Sequence, residues 1–141
     1  MPKTIFEKTI KADRNKVFEI TTNYENFQKL LPQHYPSIRT ISVRGNVSVV
    51  EEHLRLGQKE LVMMVKHILE QPILHETFVI GGDAKGTHIV TKYEHLPNGT
   101  KMIIEIDWKL KGIMKLSGLF NKNILNNYSK IIDDFIILIE N

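Results

Sequence analysis

The C-terminal part of the chain carries an apolar pattern that constrains the fold more than any other segment. Between residues 119 and 139 the large apolar side chains recur at alternating steps of four and three, which places them on one stripe of an α-helix. At ~1.5 Å per residue this helix is about 30 Å long, enough to cross a small domain. The rest of the chain is expected to supply the apolar surface that the stripe covers. The stripe consists of Phe120, Ile124, Tyr128, Ile131, Phe135 and Leu138.

A helix of this length also has the reach to cross a bilayer. Lys130, Asp133 and Asp134 lie in its middle, where hydrocarbon is a costly environment for charge, and no apolar run is continuous. The pattern therefore favours a helix that packs on a protein surface.

Composition excludes several functional classes. A chain of 141 residues predicts one domain, and a formal net charge of +3 is too small to indicate a nucleic-acid partner. Cysteine is absent, which removes disulfides, thiol nucleophiles and cysteine metal sites, and suits a reducing compartment. The N-terminal residues have no apolar core of signal-peptide length. We predict a single soluble cytoplasmic domain over residues 1–141.

The preceding sequence predicts strands and two short helices. Residues 4–10 alternate as a strand does, Asp13 and Asn23 are suited to cap two short helices, and Pro32 ends the second. Turn residues then separate six apolar segments, at 38–44, 47–55, 60–69, 73–80, 87–96 and 101–110. The order predicts an α+β domain, in which about seven antiparallel strands form a curved sheet around the long C-terminal helix.

Centring each turn assigns the strand registers. The Gly57-Gln58 turn places Arg55 opposite Glu60, and the Asn98-Gly99 turn places Lys92 opposite Glu105. The Gln71-Pro72 turn continues the apolar face from the second and third of these strands into the fourth. That face is predicted to hold Val50, Leu54, Leu61, Met63, Val65, Leu69, Leu74, Phe78 and Ile80.

This order of elements resembles the helix-grip fold of the START and Bet v 1-like superfamily, in particular its small polyketide cyclase/dehydrase-like members. The resemblance extends over essentially the whole chain, including the opening strand at residues 5–12, the helix residues 15–18 and 24–32, and the turns at 82–86 and 98–100. It implies a cavity between sheet and helix that holds a hydrophobic ligand such as a lipid, a sterol or a polyketide. Function varies widely among proteins of one fold, so the implication is one of analogy.

The same registers place polar residues on the inward face. His67 is predicted opposite Glu76, and Arg39 opposite Glu52. Such a carboxylate–imidazole pair in an apolar hollow is suited to hold a polar group of a ligand, or to act as an acid–base pair. The alternative is that the two pairs lie at the open, partly solvated end of the sheet, where the two members of each pair merely satisfy each other's hydrogen bonds. The predicted ligand-binding residues are Arg39, Val50, Glu52, Met63, Val65, His67, Glu76, Phe78, Tyr93, Ile104, Trp108, Met114 and Tyr128.

Other motifs indicate no cofactor. Six histidines are present, but none is three or four residues from another, and strand parity separates His67 and His95 from His53, His75 and His88. No metal site is therefore predicted. The glycine-rich residues 81–86 lack the phosphate-loop pattern and indicate a hairpin loop. Gly112 and Gly118 bracket the apolar residues Ile113, Met114 and Leu116, which predicts either a gate over the cavity or an ordinary connection.

Binding of a small hydrophobic ligand without catalysis is the function that these observations favour. The first alternative is a cyclase or dehydratase that uses Glu76 and His67, and the second is a protein-interaction module. Val62, Met64, Ile68 and Val79 are predicted on the outer face of the sheet, where they would be exposed or covered by a homodimer.

Overall fold

A computed structural model describes residues 3–109 and 123–141 of the chain. The strands are β1 (Lys3–Ile10), β2 (Ser37–Arg44), β3 (Val47–Leu56), β4 (Lys59–Glu70), β5 (Leu74–Gly82), β6 (His88–Leu96) and β7 (Gly99–Asp107). The helices are α1 (Arg14–Thr22), a single 3-10 turn (Tyr24–Asn26), α2 (Phe27–Leu30) and α3 (Leu125–Glu140). The order of strand, two short helices, six strands and long helix is confirmed.

The seven strands form one antiparallel sheet in the order β1-β7-β6-β5-β4-β3-β2. Consecutive hairpins build the sheet from β2 to β7, and β1 closes the order by pairing with β7. The turn glycines Gly45 and Gly57 have φ of +60° and +65°, a conformation that side chains with a Cβ atom rarely adopt. The predicted α+β helix-grip architecture is therefore confirmed.

Helix α3 packs its apolar stripe against the inner face of the sheet. Asp13 caps α1 as predicted, because its side chain accepts a hydrogen bond from the Lys16 amide. Residues 119–122 of the predicted long helix, like Met114 and the proposed gate at 112–118, lie outside the described residues. No helix in the described ranges is long and apolar enough to span a membrane. The buried residues of α3 are Ile131 and Phe135 of the stripe together with the adjacent Ile132 and Ile139, and they share the core with Val50, Leu54, Leu61, Val65 and Ile106 of the sheet.

Two of the predicted registers are wrong by one residue, because each of these strand pairs contains one extra residue. The β4–β5 turn has three residues, 71–73, so Glu70 pairs with Leu74 and His67 pairs with Thr77 instead of Glu76. In β2 a bulge between Thr40 and Ser42 moves Arg39 from Glu52 to Glu51. A shift of one residue turns a side chain to the other face of a sheet. Both expected inward pairs are therefore absent from the fold.

The β3–β4 register is the one predicted, and the β6–β7 register is shifted without turning any side chain to the other face of the sheet. Arg55 pairs with Glu60 as predicted. The β6–β7 turn lies at residues 97–98, so the expected Lys92–Glu105 pair is wrong and Lys92 lies opposite Ile103. Because this shift is two residues, the inward face of β6 and β7 is the one predicted. In β5, by contrast, the predicted faces are exchanged: Leu74, Phe78 and Ile80 leave the inner face, whereas Val79 is buried.

Candidate functional site

A cavity of about 140 Å³ lies between the inner face of the sheet and the helices. Its walls are mainly apolar, because β3, β4 and β7 place alternate apolar residues inward and α3 covers them. The apolar wall includes Leu54, Leu61, Met63, Val65, Val79 and Ile104 from the sheet, Trp108 directly after β7, and Phe27, Tyr128, Ile131, Ile132 and Phe135 from the helices.

One corner of the cavity is polar, and three neighbouring strands contribute to it. Glu52 from β3, His67 from β4, and His75 and Thr77 from β5 are all buried and all line the cavity. The Nε2 atom of His67 lies 2.7 Å from Oε2 of Glu52, and its Nδ1 atom lies 2.8 Å from Nε2 of His75. The Thr77 hydroxyl lies 3.2 Å from the same His75 nitrogen. We call these four residues the polar corner.

Hydrogen-bond roles within the polar corner follow from its chemistry. A carboxylate only accepts, so His67 donates its Nε2–H to Glu52. Burial, followed by the nearby His67, lowers the pKa of His75 to about 3, so His75 is neutral at pH 7. With His67 neutral, its Nδ1 accepts the Nε2–H of His75. With His67 protonated, its Nδ1–H donates to His75, so the pair is hydrogen-bonded in either state.

The ring of Tyr24 covers this corner. It stacks on the His67 ring at a centroid distance of 4.1 Å and belongs to the cavity wall. Its hydroxyl is buried and has no hydrogen-bond partner among the described residues. Burial, and then the Glu52 carboxylate, raise the pKa of Tyr24 well above its ordinary value, so the phenol keeps its proton.

Tyr93, at another part of the wall, shows the contrasting situation. Its hydroxyl lies 2.7 Å from the hydroxyl of Thr21 on α1. The Thr21 hydroxyl in turn donates to the carbonyl of Val17 at 2.9 Å, which leaves the Tyr93 O–H as the donor between the two side chains. Tyr24 and Tyr93, two of the four tyrosines that line the cavity, therefore differ in one respect that matters for a ligand, namely whether the hydroxyl is already used.

The cavity brings together eight of the thirteen predicted ligand-binding residues: Glu52, Met63, Val65, His67, Tyr93, Ile104, Trp108 and Tyr128. Val50 is fully buried in the core but is not part of the cavity wall. Met114 lies outside the described residues. Whether any of the eight binds a ligand stays a prediction.

Three residues that were predicted on the inward face lie on the outer face instead, so their assignment to the ligand site is wrong. Glu76 accepts a hydrogen bond from His88, with 3.1 Å between Oε2 and Nε2, and Phe78 stacks on the same His88 ring at 4.5 Å. Arg39 is exposed, 3.8 Å from Glu51. The His67–Glu76 acid–base pair is therefore wrong, and the three-residue β4–β5 turn is the reason.

The residues that sequence reasoning missed are Tyr24, His75 and Thr77. Had the β4–β5 turn been assigned three residues, parity would have turned His75 and Thr77 inward beside His67. No periodic pattern marks Tyr24, because it lies in a single 3-10 turn. Within residues 3–109 and 123–141, no cluster of three or more metal-ligating side chains could hold a metal ion.

Comparisons with known proteins support the fold. No family model and no curated protein sequence matches the chain. Among solved structures, the ZhuI aromatase/cyclase from Streptomyces sp. R1128 has a TM-score of 0.82 at 9% identity, over 99% of this chain and 93% of that one. A START superfamily protein from Mycobacterium smegmatis has a TM-score of 0.75 at 14% identity, over 96% and 97%. Ara h 8.0201 has a TM-score of 0.73 at 17% identity, over 99% and 95%. At these identities the likeness shows a START/Bet v 1-like fold, as the sequence predicts.

Proposed function

We propose that the protein binds a small, largely apolar ligand in the cavity between the sheet and helix α3. The observation that supports this most is a mainly apolar cavity with a buried polar corner, which is the usual form of a small-molecule site. The START/Bet v 1-like fold of a START superfamily protein and of an aromatase/cyclase is consistent with such a role.

Volume limits the size of the ligand. The cavity measures about 140 Å³, close to the ~150 Å³ apolar cavity that admits benzene and below the ~300–1,000 Å³ of sites for drug-sized ligands. A single aromatic ring with short substituents therefore suits the walls as they stand. A lipid, a sterol or a fused-ring polyketide would require the walls to move apart.

Trp108 provides the direct test of binding. Its side chain is 4% exposed, lies in the cavity wall and makes an edge-to-face contact with Tyr128 at 5.6 Å. Titration with isopropylbenzene should change the emission of this one tryptophan and give a saturable heat signal in calorimetry. An unchanged spectrum together with no heat of binding would remove the proposal.

A matched pair of substitutions at two valines of β4 tests where the ligand binds. Val65 points into the cavity, whereas Val62 is on the outer face and 43% exposed. Val65→Phe should fill the cavity and weaken isopropylbenzene binding at least tenfold, whereas Val62→Phe should leave it unchanged. Overpacking costs about 1–3 kcal/mol, so thermal melts must show that Val65→Phe is folded. Equal affinity in both variants would place the ligand elsewhere.

A second candidate function is acid–base catalysis on the bound ligand. The 2.7 Å contact between Glu52 and His67 inside the cavity favours it, since this carboxylate–imidazole pair replaces the one predicted with Glu76. Native mass spectrometry of the purified protein would identify a copurifying ligand. Incubated with that ligand, a catalyst should lose turnover in Glu52→Gln while affinity stays within about tenfold, or ~1.4 kcal/mol. A carrier shows no turnover in either form, and this is the outcome we expect.

A further inference from the structure

We infer that Tyr24 is a ligand-recognition residue, and that the ligand carries an uncharged oxygen acceptor, such as a ketone or aldehyde carbonyl, which takes the hydrogen bond of the Tyr24 hydroxyl. This inference rests on the proposed function and names the ligand class more narrowly. It concerns one end of the cavity, where the ring of Tyr24 stacks on His67.

Beside the polar corner lies one hydroxyl group, that of Tyr24, which has no hydrogen-bond partner among the described residues. Glu52, His67, His75 and Thr77 satisfy one another through contacts of 2.7 to 3.4 Å. The Tyr24 hydroxyl beside them has no partner among the described residues, although the side chain is only 7% exposed. Buried polar groups are almost always hydrogen-bonded in folded proteins, and an exception needs an explanation. A ligand oxygen in the cavity whose wall includes Tyr24 provides that partner.

The charge of the ligand's oxygen-bearing group decides which acceptor suits the Tyr24 hydroxyl. The phenol of Tyr24 retains its proton, because burial and the Glu52 carboxylate both disfavour the phenolate. The group that is left unused is therefore an O–H donor, and it calls for an acceptor. A carboxylate ligand would also accept, but it would bring a second negative charge beside Glu52 in an apolar cavity. A neutral carbonyl meets the donor without that repulsion.

Three ring-sized probes separate these possibilities. Acetophenone carries a carbonyl oxygen where isopropylbenzene carries a methyl group, and benzoate has a similar size with a negative charge. Each is titrated into the wild-type protein, into Tyr24→Phe and into Tyr93→Phe, with calorimetry as the readout. Comparing the same probe between variants cancels the difference in hydration between probes. Tyr93→Phe is the matched control, since it also removes a hydroxyl from the wall, but one already bonded to Thr21.

Tyr24→Phe should weaken acetophenone about three- to tenfold, the range for one neutral hydrogen bond, and leave isopropylbenzene equally or more tightly bound. Tyr93→Phe should change both probes by the same factor, and benzoate should be the weakest ligand of the wild type. A thermal melt of Tyr24→Phe without ligand should show no loss of stability, because the hydroxyl has no bond to lose.

Each contrary result has a distinct meaning. If both neutral probes bind and Tyr24→Phe changes them equally, the inference is overturned and the proposed function stands. The same holds if benzoate binds more tightly than acetophenone. If none of the three probes binds the wild type, the proposed function fails and takes this inference with it. If Tyr24→Phe is destabilised without ligand, its hydroxyl has a partner within the protein and no ligand is needed to explain it.

Discussion

Glu52, His67 and His75 form a connected row because each occupies an inward position on one of three adjacent strands. The row runs diagonally across β3, β4 and β5, because Glu52 pairs with Met63 and His75 pairs with Leu69, so its geometry depends on the registers of two hairpins. Burial of this row favours the neutral imidazole of His75, because a charged imidazolium would lose its hydration there.

The stability of the protein should therefore depend on His75 below neutral pH. Its pKa falls from 6.5 to about 3 on folding, so between these values the unfolded chain binds the extra proton and the folded chain does not. The stability due to neutral His75 is present above pH 6.5 and is lost as the pH falls toward 3, by up to about 1.4 kcal/mol per pH unit. In His75→Gln, urea unfolding at pH 7, 6 and 5 should show a flatter dependence than the wild type. Parallel curves would contradict the assignment.

At the residue scale, the inward position of Glu52 and His67 is the part of the site that could be predicted. Both lie on β3 and β4, joined by a two-residue Gly57-Gln58 turn whose register is as expected. Their partners could not be predicted, because a bulge in β2 and a three-residue turn before β5 each add one residue. Such insertions depend on local backbone geometry, and alternation of apolar and polar residues carries no signal for them.

Among the helices in the described ranges, α3 contributes the most buried residues to the core. Its buried stripe and its exposed face contain the same residue type, which allows a direct comparison. Ile131 is 3% exposed and lines the cavity, whereas Ile137 is 58% exposed on the same helix.

Ile131→Asp should unfold the protein or destabilise it by several kcal/mol, because an unpaired charge replaces a packed side chain. Ile137→Asp should change the free energy of unfolding by less than ~1 kcal/mol. Circular dichroism during urea unfolding measures both. Equal tolerance at the two positions would show that α3 is not the element that closes the core.

A hydrogen bond joins α3 to the connection between α2 and β2. Nε2 of His34 lies 2.6 Å from Oδ2 of Asp134, and both side chains are largely buried. The hydrogen bond from His34, followed by that from Lys130, outweighs burial and lowers the pKa of Asp134 below its ordinary value. The contact holds the helix next to the cluster of Phe27, Tyr35 and Phe135 at the end of the cavity.

Asp134→Asn should therefore lower the free energy of unfolding at pH 7 by about 1.5–3 kcal/mol, the range for a hydrogen bond to a charged group. Because the folded pKa is lowered, this contribution is present above the ordinary pKa of 3.8 and is lost as the pH falls below it. Asp133→Asn is the control. That side chain is half-exposed and pairs with Lys8 at 3.0 Å, a surface contact worth 0–1 kcal/mol. The prediction fails if the two variants lose the same stability at pH 7.

For the whole molecule, the sequence predicts the order of elements and the covering of the sheet by the C-terminal helix. The reason is that both depend on apolar periodicity over many residues, as in α3 and in β3 and β4, and one local error does not erase such a pattern. The faces of β5 depend instead on one turn and one bulge, so Phe78 and Val79 exchange the sides expected of them. Single-domain organisation and a cytoplasmic location stay predictions.

The outer face of the sheet leads to the last prediction, a homodimer through β4. Val62 is 43% exposed there, and Met64 and Ile68 on the same face of the strand are half-buried, with Lys66 between them and no helix described above them. An apolar strip of this kind on a sheet surface is typical of a contact with another protein. Because the strip is the reverse side of the cavity wall, self-association and ligand binding should be separable. Val62→Lys should make the protein monomeric in sedimentation equilibrium at concentrations where the wild type has twice the monomer mass, and should leave isopropylbenzene affinity unchanged. His95→Lys, an exposed position on β6, should stay dimeric. A wild-type protein that is monomeric at every concentration contradicts the homodimer and leaves the outer face to a different partner.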